Sequence, residues 1–102
     1  MTLPLFDITW DDAKALSNLA KHGVTFAQAT TVMLDPLALT VFDAAHSENE
    51  ERWFTLGITS EGRLLAVAHT YRIIDTINVQ IRLISAREAT RREQQTYENE
   101  PR

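Results

Sequence analysis

The residues best equipped for chemistry lie in the second half of the chain. Arg82 stands in the alternating run Ile77 to Ile84, on the face opposite Ile81 and Leu83, and Arg87 follows shortly after it. A guanidinium presents a planar donor fork suited to phosphate, and two such groups could stabilise charge developing on one phosphoryl centre. The plainer reading of Arg82 is an edge-strand charge that discourages aggregation. His69 falls in a neighbouring strand, on the face of Arg63, Leu65, Val67 and Tyr71, where pairing could bring it near Arg82. An imidazole that titrates near neutrality is the default general acid or base, although a lone strand histidine is more often structural. His22 closes a helix, where the dipole favours a cation, and His46 sits in an acidic loop and reads as a surface residue. Arg52-Trp53 opens another strand, so Trp53 could stack a base beside an arginine on phosphate, with a core tryptophan as the safer reading.

Other chemistries are excluded or disfavoured. The chain has no cysteine, which removes disulfides, thiolate zinc sites and thiol catalysis. Its histidines fall in different elements without H-E-x-x-H or EF-hand spacing, so we expect no metal and no cofactor. No Gly-rich phosphate loop or G-x-S-x-G is present. The net charge of −4 hides an asymmetry: residues 1–62 carry nine acids against three bases, and residues 63–102 carry seven arginines against five acids. Arginine without lysine in that second half leans toward anion recognition, while the overall acidity argues against tight nonspecific nucleic-acid binding.

The elements that must position these groups follow from patterning. With 102 residues, 44% of them hydrophobic, the chain is expected to form one domain over 1–102 with an ordinary core. The N-terminus lacks signal-peptide features and no apolar run approaches ~18 residues, so a cytoplasmic protein without membrane contact is expected. Leu5 to Trp10 alternates as a strand. Asp11 caps a helix that Gly23 stops near His22, with Ala13, Leu16, Leu19 and Ala20 as its apolar stripe and Lys14, Asn18 and Lys21 as a polar one. Thr25-Phe26-Ala27-Gln28 is a capping box for a second helix that ends at Asp35-Pro36. Strands follow over 37–42, 52–58, 63–72 and 77–84, separated by the acidic loop 43–51 and a turn at 59–62, and favour an antiparallel meander. Ser85-Ala86-Arg87-Glu88 has capping-box spacing for a final helix to about Tyr97 or Asn99. That helix has a thin apolar face and is expected to dock weakly. Arg87, Arg91 and Arg92 would crowd its first turns, a conflict an arriving anion would resolve unless Glu88 and Glu93 screen them. The order is β-α-α-β-β-β-β-α, an α+β class.

Taken together, these residues form a recognisable pattern. Trp10-Asp11, Lys14, Asn18, Lys21-His22-Gly23-Val24, Phe26 and Ala29 resemble the W-D-x-x-K-x-x-x-N-x-x-K-H-G-V-x-F-x-x-A opening of the BrnT family of toxins. Asp35-Pro36, Asp43, Glu51-Arg52-Trp53, Gly57, His69 and Arg82 through Arg87, with Ala89, Glu93 and Tyr97, are similar to the family's later landmarks, so the likeness spans about residues 6–97. The resemblance implies a RelE-like antiparallel sheet with packed helices. It implies a metal-independent ribonuclease toxin that inhibits translation and is neutralised by a BrnA-like antitoxin, which would contact DNA on the toxin's behalf. Carried over onto this chain, it implies His69 for proton transfer and Arg82 with Arg87 for the phosphorane. Lys21, His22 and Arg52 would hold the RNA backbone, and Trp53 would offer a stacking surface. Ser85 is more plausibly a helix cap than a nucleophile. The nuclease reading built on these residues requires the guanidiniums of the last strand and the turn after it to converge on one scissile linkage beside an imidazole that is not sealed in hydrocarbon. The alternatives are a catalytically silent module that binds the antitoxin and acts only in operon repression, and a small anion- or nucleotide-binding protein outside any toxin system.

Overall fold

The computed structural model describes residues 5–101. Strand β1 (Leu5–Trp10) leads to helices α1 (Asp12–His22) and α2 (Phe26–Val32). Strands β2 (Leu39–Phe42), β3 (Trp53–Ile58), β4 (Leu64–His69), β5 (Arg72–Ile73) and β6 (Asn78–Glu88) follow, then helix α3 (Arg91–Asn99). The sheet order is β1-β6-β4-β3-β2, with β5 pairing separately with β6. β2, β3 and β4 form the expected antiparallel meander, and β6 continues it antiparallel to β4. β1 closes the other edge parallel to β6, from Leu5↔Asn78 to Trp10↔Leu83.

Local chemistry sets the helix ends. Asp11 accepts from the Lys14 amide at 3.2 Å, and Gly23, at φ 67°, takes the left-handed conformation that lets its N–H reach the Leu19 carbonyl at 2.9 Å. The Thr25–Gln28 capping box is complete. α2 then lies so close to β3 that a Cβ on Gly57 would come within 2.6 Å of Val32 Cγ1.

Because side chains alternate across a strand, the sheet has two distinct faces. α1 and α2 cover one, with Val24, Phe26, Ala29 and Val32 packed on Leu65, Val67, Val79, Ile81, Leu83 and Ala86. α3 covers part of the other, where Tyr97 packs with Leu56 and Ala66. The Tyr97 hydroxyl also donates to Asp35 Oδ2 at 2.6 Å, while the other carboxylate oxygen accepts from the Leu37 amide. The final helix is therefore docked, contrary to the weak attachment expected from its composition.

The start of that helix also differs from expectation. The spacing S-x-x-E at Ser85 recurs as T-x-x-E at Thr90, and only the second forms a cap, with both reciprocal bonds present. Ser85 to Glu88 stay in β6, paired with Leu65 to Ala68 of β4. A register shift opposite Ala68 and His69 marks a bulge in this pairing. The single strand expected over 63–72 is correspondingly broken into β4 and β5, which adds one strand to the expected order.

Asn18 joins the layers. It is 5% exposed, and its carboxamide donates to the carbonyls of Val24 (3.0 Å) and Ala86 (2.8 Å) and accepts from the Ala86 amide (3.0 Å). β1 ends opposite Leu83, so at Ala86 this side chain does the hydrogen bonding a further strand residue would do. Truncation would strand several buried backbone groups, each costing about 1–3 kcal/mol. Asn18→Ala is expected to lower the urea-unfolding free energy by about 3 kcal/mol or more, against less than about 0.5 kcal/mol for Lys14→Ala on the exposed side of the same helix.

Candidate active site

The loop between β2 and β3 is closed by its own backbone. The Asp43 amide donates to the Arg52 carbonyl at 2.8 Å. Within it Ser47 Oγ donates to the Asp43 carbonyl at 2.6 Å and accepts from the Arg52 amide at 2.9 Å. These bonds fold the polar segment 43–52 back on itself. Glu50 and Arg52 project from this loop toward the sheet face that carries Arg82.

There Glu50 Oε1 receives two cations. The Arg82 guanidinium donates to it directly, and Arg52 Nη2 stands 4.0 Å away. Arg82 borders a groove of about 470 Å³ lined also by Asp7, Thr9, Thr70, Arg72 and Gln80. Glu50 and Arg52 border an adjoining depression of about 550 Å³ with His46. The structure thus brings together two of the expected site residues, Arg52 and Arg82, around an oxyanion of the protein's own. Glu50 was not singled out from the sequence; its position two residues before Arg52 is the only local signal.

His69 lies elsewhere, which corrects the expectation that it flanks Arg82. It pairs with Leu83 across β4 and β6, so it shares the helix-covered face, while Arg82 points to the opposite one. It is 1% exposed. Nδ1 donates to the Thr70 carbonyl at 2.8 Å, which leaves Nε2 as the acceptor of the Thr55 hydroxyl at 2.7 Å, and Thr55 is bonded in turn to Thr40. Burial is the main influence lowering its pKa from 6.5, partly offset by the Thr70 bond. This imidazole is a neutral strut between β3 and β4.

Arg87 is also separated from Arg82. The bulge lets both residues reach the same face despite their odd spacing, but they lie roughly 15 Å apart along the strand. Arg87 makes a bidentate pair with Glu93 at 2.7 and 3.0 Å, tying β6 to the first turn of α3. That side-chain bond is the largest cause holding the Glu93 carboxyl below its usual range. Of the three arginines expected to crowd the helix start, Arg87 stays in β6 and pairs with Glu93, while Arg91 and Arg92 occupy the first two positions of α3.

The remaining expected residues are dispersed. Lys21 and His22 lie exposed on the last turn of α1, beside a depression shared with Lys14, Ser17 and Ser85. Trp53 packs on the helix-covered face of the sheet, its ring 5.1 Å from Phe42 and 6.2 Å from Tyr71. Its groove joins that of Arg82 only at the rim, through Glu51, Tyr71 and Arg72. Among the described residues no three His, Cys, Asp or Glu side chains cluster to hold a metal ion, and no helix is long and apolar enough to cross a membrane.

The profile of the family described as "Ribonuclease toxin, BrnT, of type II toxin-antitoxin system" matches residues 10–93. The chain belongs to this family. Its fold is similar to that in the 1.1 Å crystal structure of the Brucella abortus ribonuclease toxin BrnT, with a TM-score of 0.59 and 24% identity over 85% of this chain and 100% of that one. No curated protein matches. Of the residues that carry the BrnT resemblance, Asn18, Gly23, His69 and Arg87 hold the frame together, whereas Arg52 and Arg82 meet on an exposed face.

The placement of His69 has a measurable consequence. Its folded pKa is depressed, so below about pH 6.5 the unfolded chain binds a proton that the folded chain refuses. Stability should therefore be fully present above that pH and fall by up to about 1.4 kcal/mol per unit as the pH drops toward 5. Urea titrations of the wild type and His69→Gln across this window should show the slope lost in the variant.

Proposed function

We propose that this BrnT-family chain is an endoribonuclease toxin that cleaves RNA without a resident metal and thereby inhibits translation. The carrying observation is the convergence of Arg52 and Arg82 on Glu50 Oε1. Two guanidiniums around one oxyanion have the charge and donor geometry for a phosphodiester, and they grip it most strongly as negative charge builds on the phosphorane. Glu50 stands in for that phosphate in the free protein and gives way when RNA enters. Arg82 is the principal stabiliser of the phosphorane, with Arg52 beside it. Lys21, with His22 beside it, offers a second contact for the RNA backbone, and Trp53 with Tyr71 an aromatic rim for a base. His69 and Arg87 act on this site through the frame, as positioning residues.

The family supports a wider setting, which we include in the proposal. A type II toxin implies an antitoxin partner, here of the BrnA kind, which would bring DNA binding to the complex. Both would work in the cytoplasm on a RelE-like, single-domain toxin. A second reading, a silent module that only binds antitoxin, is favoured by the direct pairing of the Arg82 guanidinium with Glu50 and by the net charge of −4.

Incubation of the purified protein with RNA separates the two. Cleavage should persist in excess chelator and fall at least about 100-fold in Arg82→Ala, the usual order for losing a group that stabilises transition-state charge. Expression should arrest growth, and co-expression of the antitoxin should relieve the arrest. Binding of antitoxin with no RNA cleavage under any condition would establish the silent reading instead.

A further inference from the structure

We propose that His46, oriented by Asp43, is the general base of this site. The inference rests on the ribonuclease reading above and adds the proton acceptor that the burial of His69 leaves missing. His46 lies in a short 3-10 turn (Ala44–His46), and its Nδ1 is 2.9 Å from Asp43 Oδ2 and 3.1 Å from Oδ1. A carboxylate can only accept, so Nδ1 carries the hydrogen and Nε2 of the neutral ring is left with its lone pair. The imidazole is exposed and borders the same depression as Glu50 and Arg52.

The loop is built to keep these groups in place. Asp43, which orients the ring, also donates its amide to the Arg52 carbonyl, and Ser47, next to His46, bonds both the Asp43 carbonyl and the Arg52 amide. Phosphate-gripping cation and imidazole therefore sit at two ends of one clamped segment. No such arrangement surrounds His22, and His69 has both ring nitrogens engaged.

In the reaction Nε2 takes the proton of the ribose 2′-hydroxyl as the 2′-oxygen bonds to phosphorus. The bond from phosphorus to the 5′-oxygen breaks, and that oxygen leaves with a proton from water. The products are a 2′,3′-cyclic phosphate and a 5′-hydroxyl, and His46 returns its proton to solvent. Asp43 touches no reacting atom and is a positioning residue.

Kinetics on a defined RNA test the assignment. His46→Ala should lose about 100-fold in kcat with little change in KM, within the usual range for a general base, and added imidazole should restore part of the loss. Asp43→Asn should lose about 10-fold in kcat alone, with partial recovery in Asp43→Glu. If truncation unfolds the loop, His46→Gln replaces it, since Gln can bond Asp43 but cannot accept the proton. Full activity in His46→Ala alongside an inactive Arg82→Ala overturns the assignment and leaves the ribonuclease reading standing. A loss that lies in KM, or that imidazole does not relieve, also overturns it. Failure of the wild type to cleave RNA removes both.

Discussion

The bond between the Asn18 carboxamide and the Ala86 peptide group is the constraint on which the arrangement depends. β6 is the longest described strand and carries or adjoins nearly everything of interest, yet β1 stops at Trp10, opposite Leu83, short of the end of β6. A buried edge with open amide and carbonyl groups would be costly. Asn18 satisfies both groups of Ala86 and, through the Val24 carbonyl, fixes the chain as it leaves Gly23 for α2. One side chain thereby sets the position of both N-terminal helices on the sheet, and lets β6 run on to Glu88 where a helix would otherwise start.

Once β6 is fixed, the two faces of the sheet divide the polar residues by environment. The helix-covered face admits His69 only as a neutral ring in a closed chain of hydrogen bonds from Thr40 to the Thr70 carbonyl. The opposite face is partly open to water and tolerates Arg82 and Arg87, each with its own carboxylate. Neither ion pair is deeply buried, so neither adds much stability. Their value is positional: Arg87 with Glu93 seats α3, and Glu50 holds Arg82 with Arg52 4.0 Å from the same oxygen. Charge repulsion between those guanidiniums is offset by a carboxylate that a phosphate could displace.

The acidic loop supplies the rest of the site by a different route. It has little apolar surface and cannot be held by packing, so it is held by hydrogen bonds among Asp43, Ser47 and Arg52. Such a loop can keep exposed, titratable groups in register with a rigid sheet, an arrangement suited to binding and catalysis. Its acidic residues pair locally, Glu50 with the Arg82 guanidinium and Asp43 with the His46 imidazole.

Sequence alone determined the elements whose signals are local: the Asp11 cap and the Gly23 stop, the Thr25–Gln28 box, and the meander over β2 to β4. These depend on backbone preferences and on a period that can be counted. Two equally spaced cap signals at Ser85 and Thr90 could not be ranked that way, because only pairing with β4 and the bond from Asn18 decide where the strand gives way to the helix. The burial of His69, the parting of Arg87 from Arg82, and the meeting of Glu50 with Arg52 and Arg82 were likewise decided by tertiary structure. A side chain's face follows from strand register, and a bulge shifts that register without leaving a mark in the hydrophobic pattern.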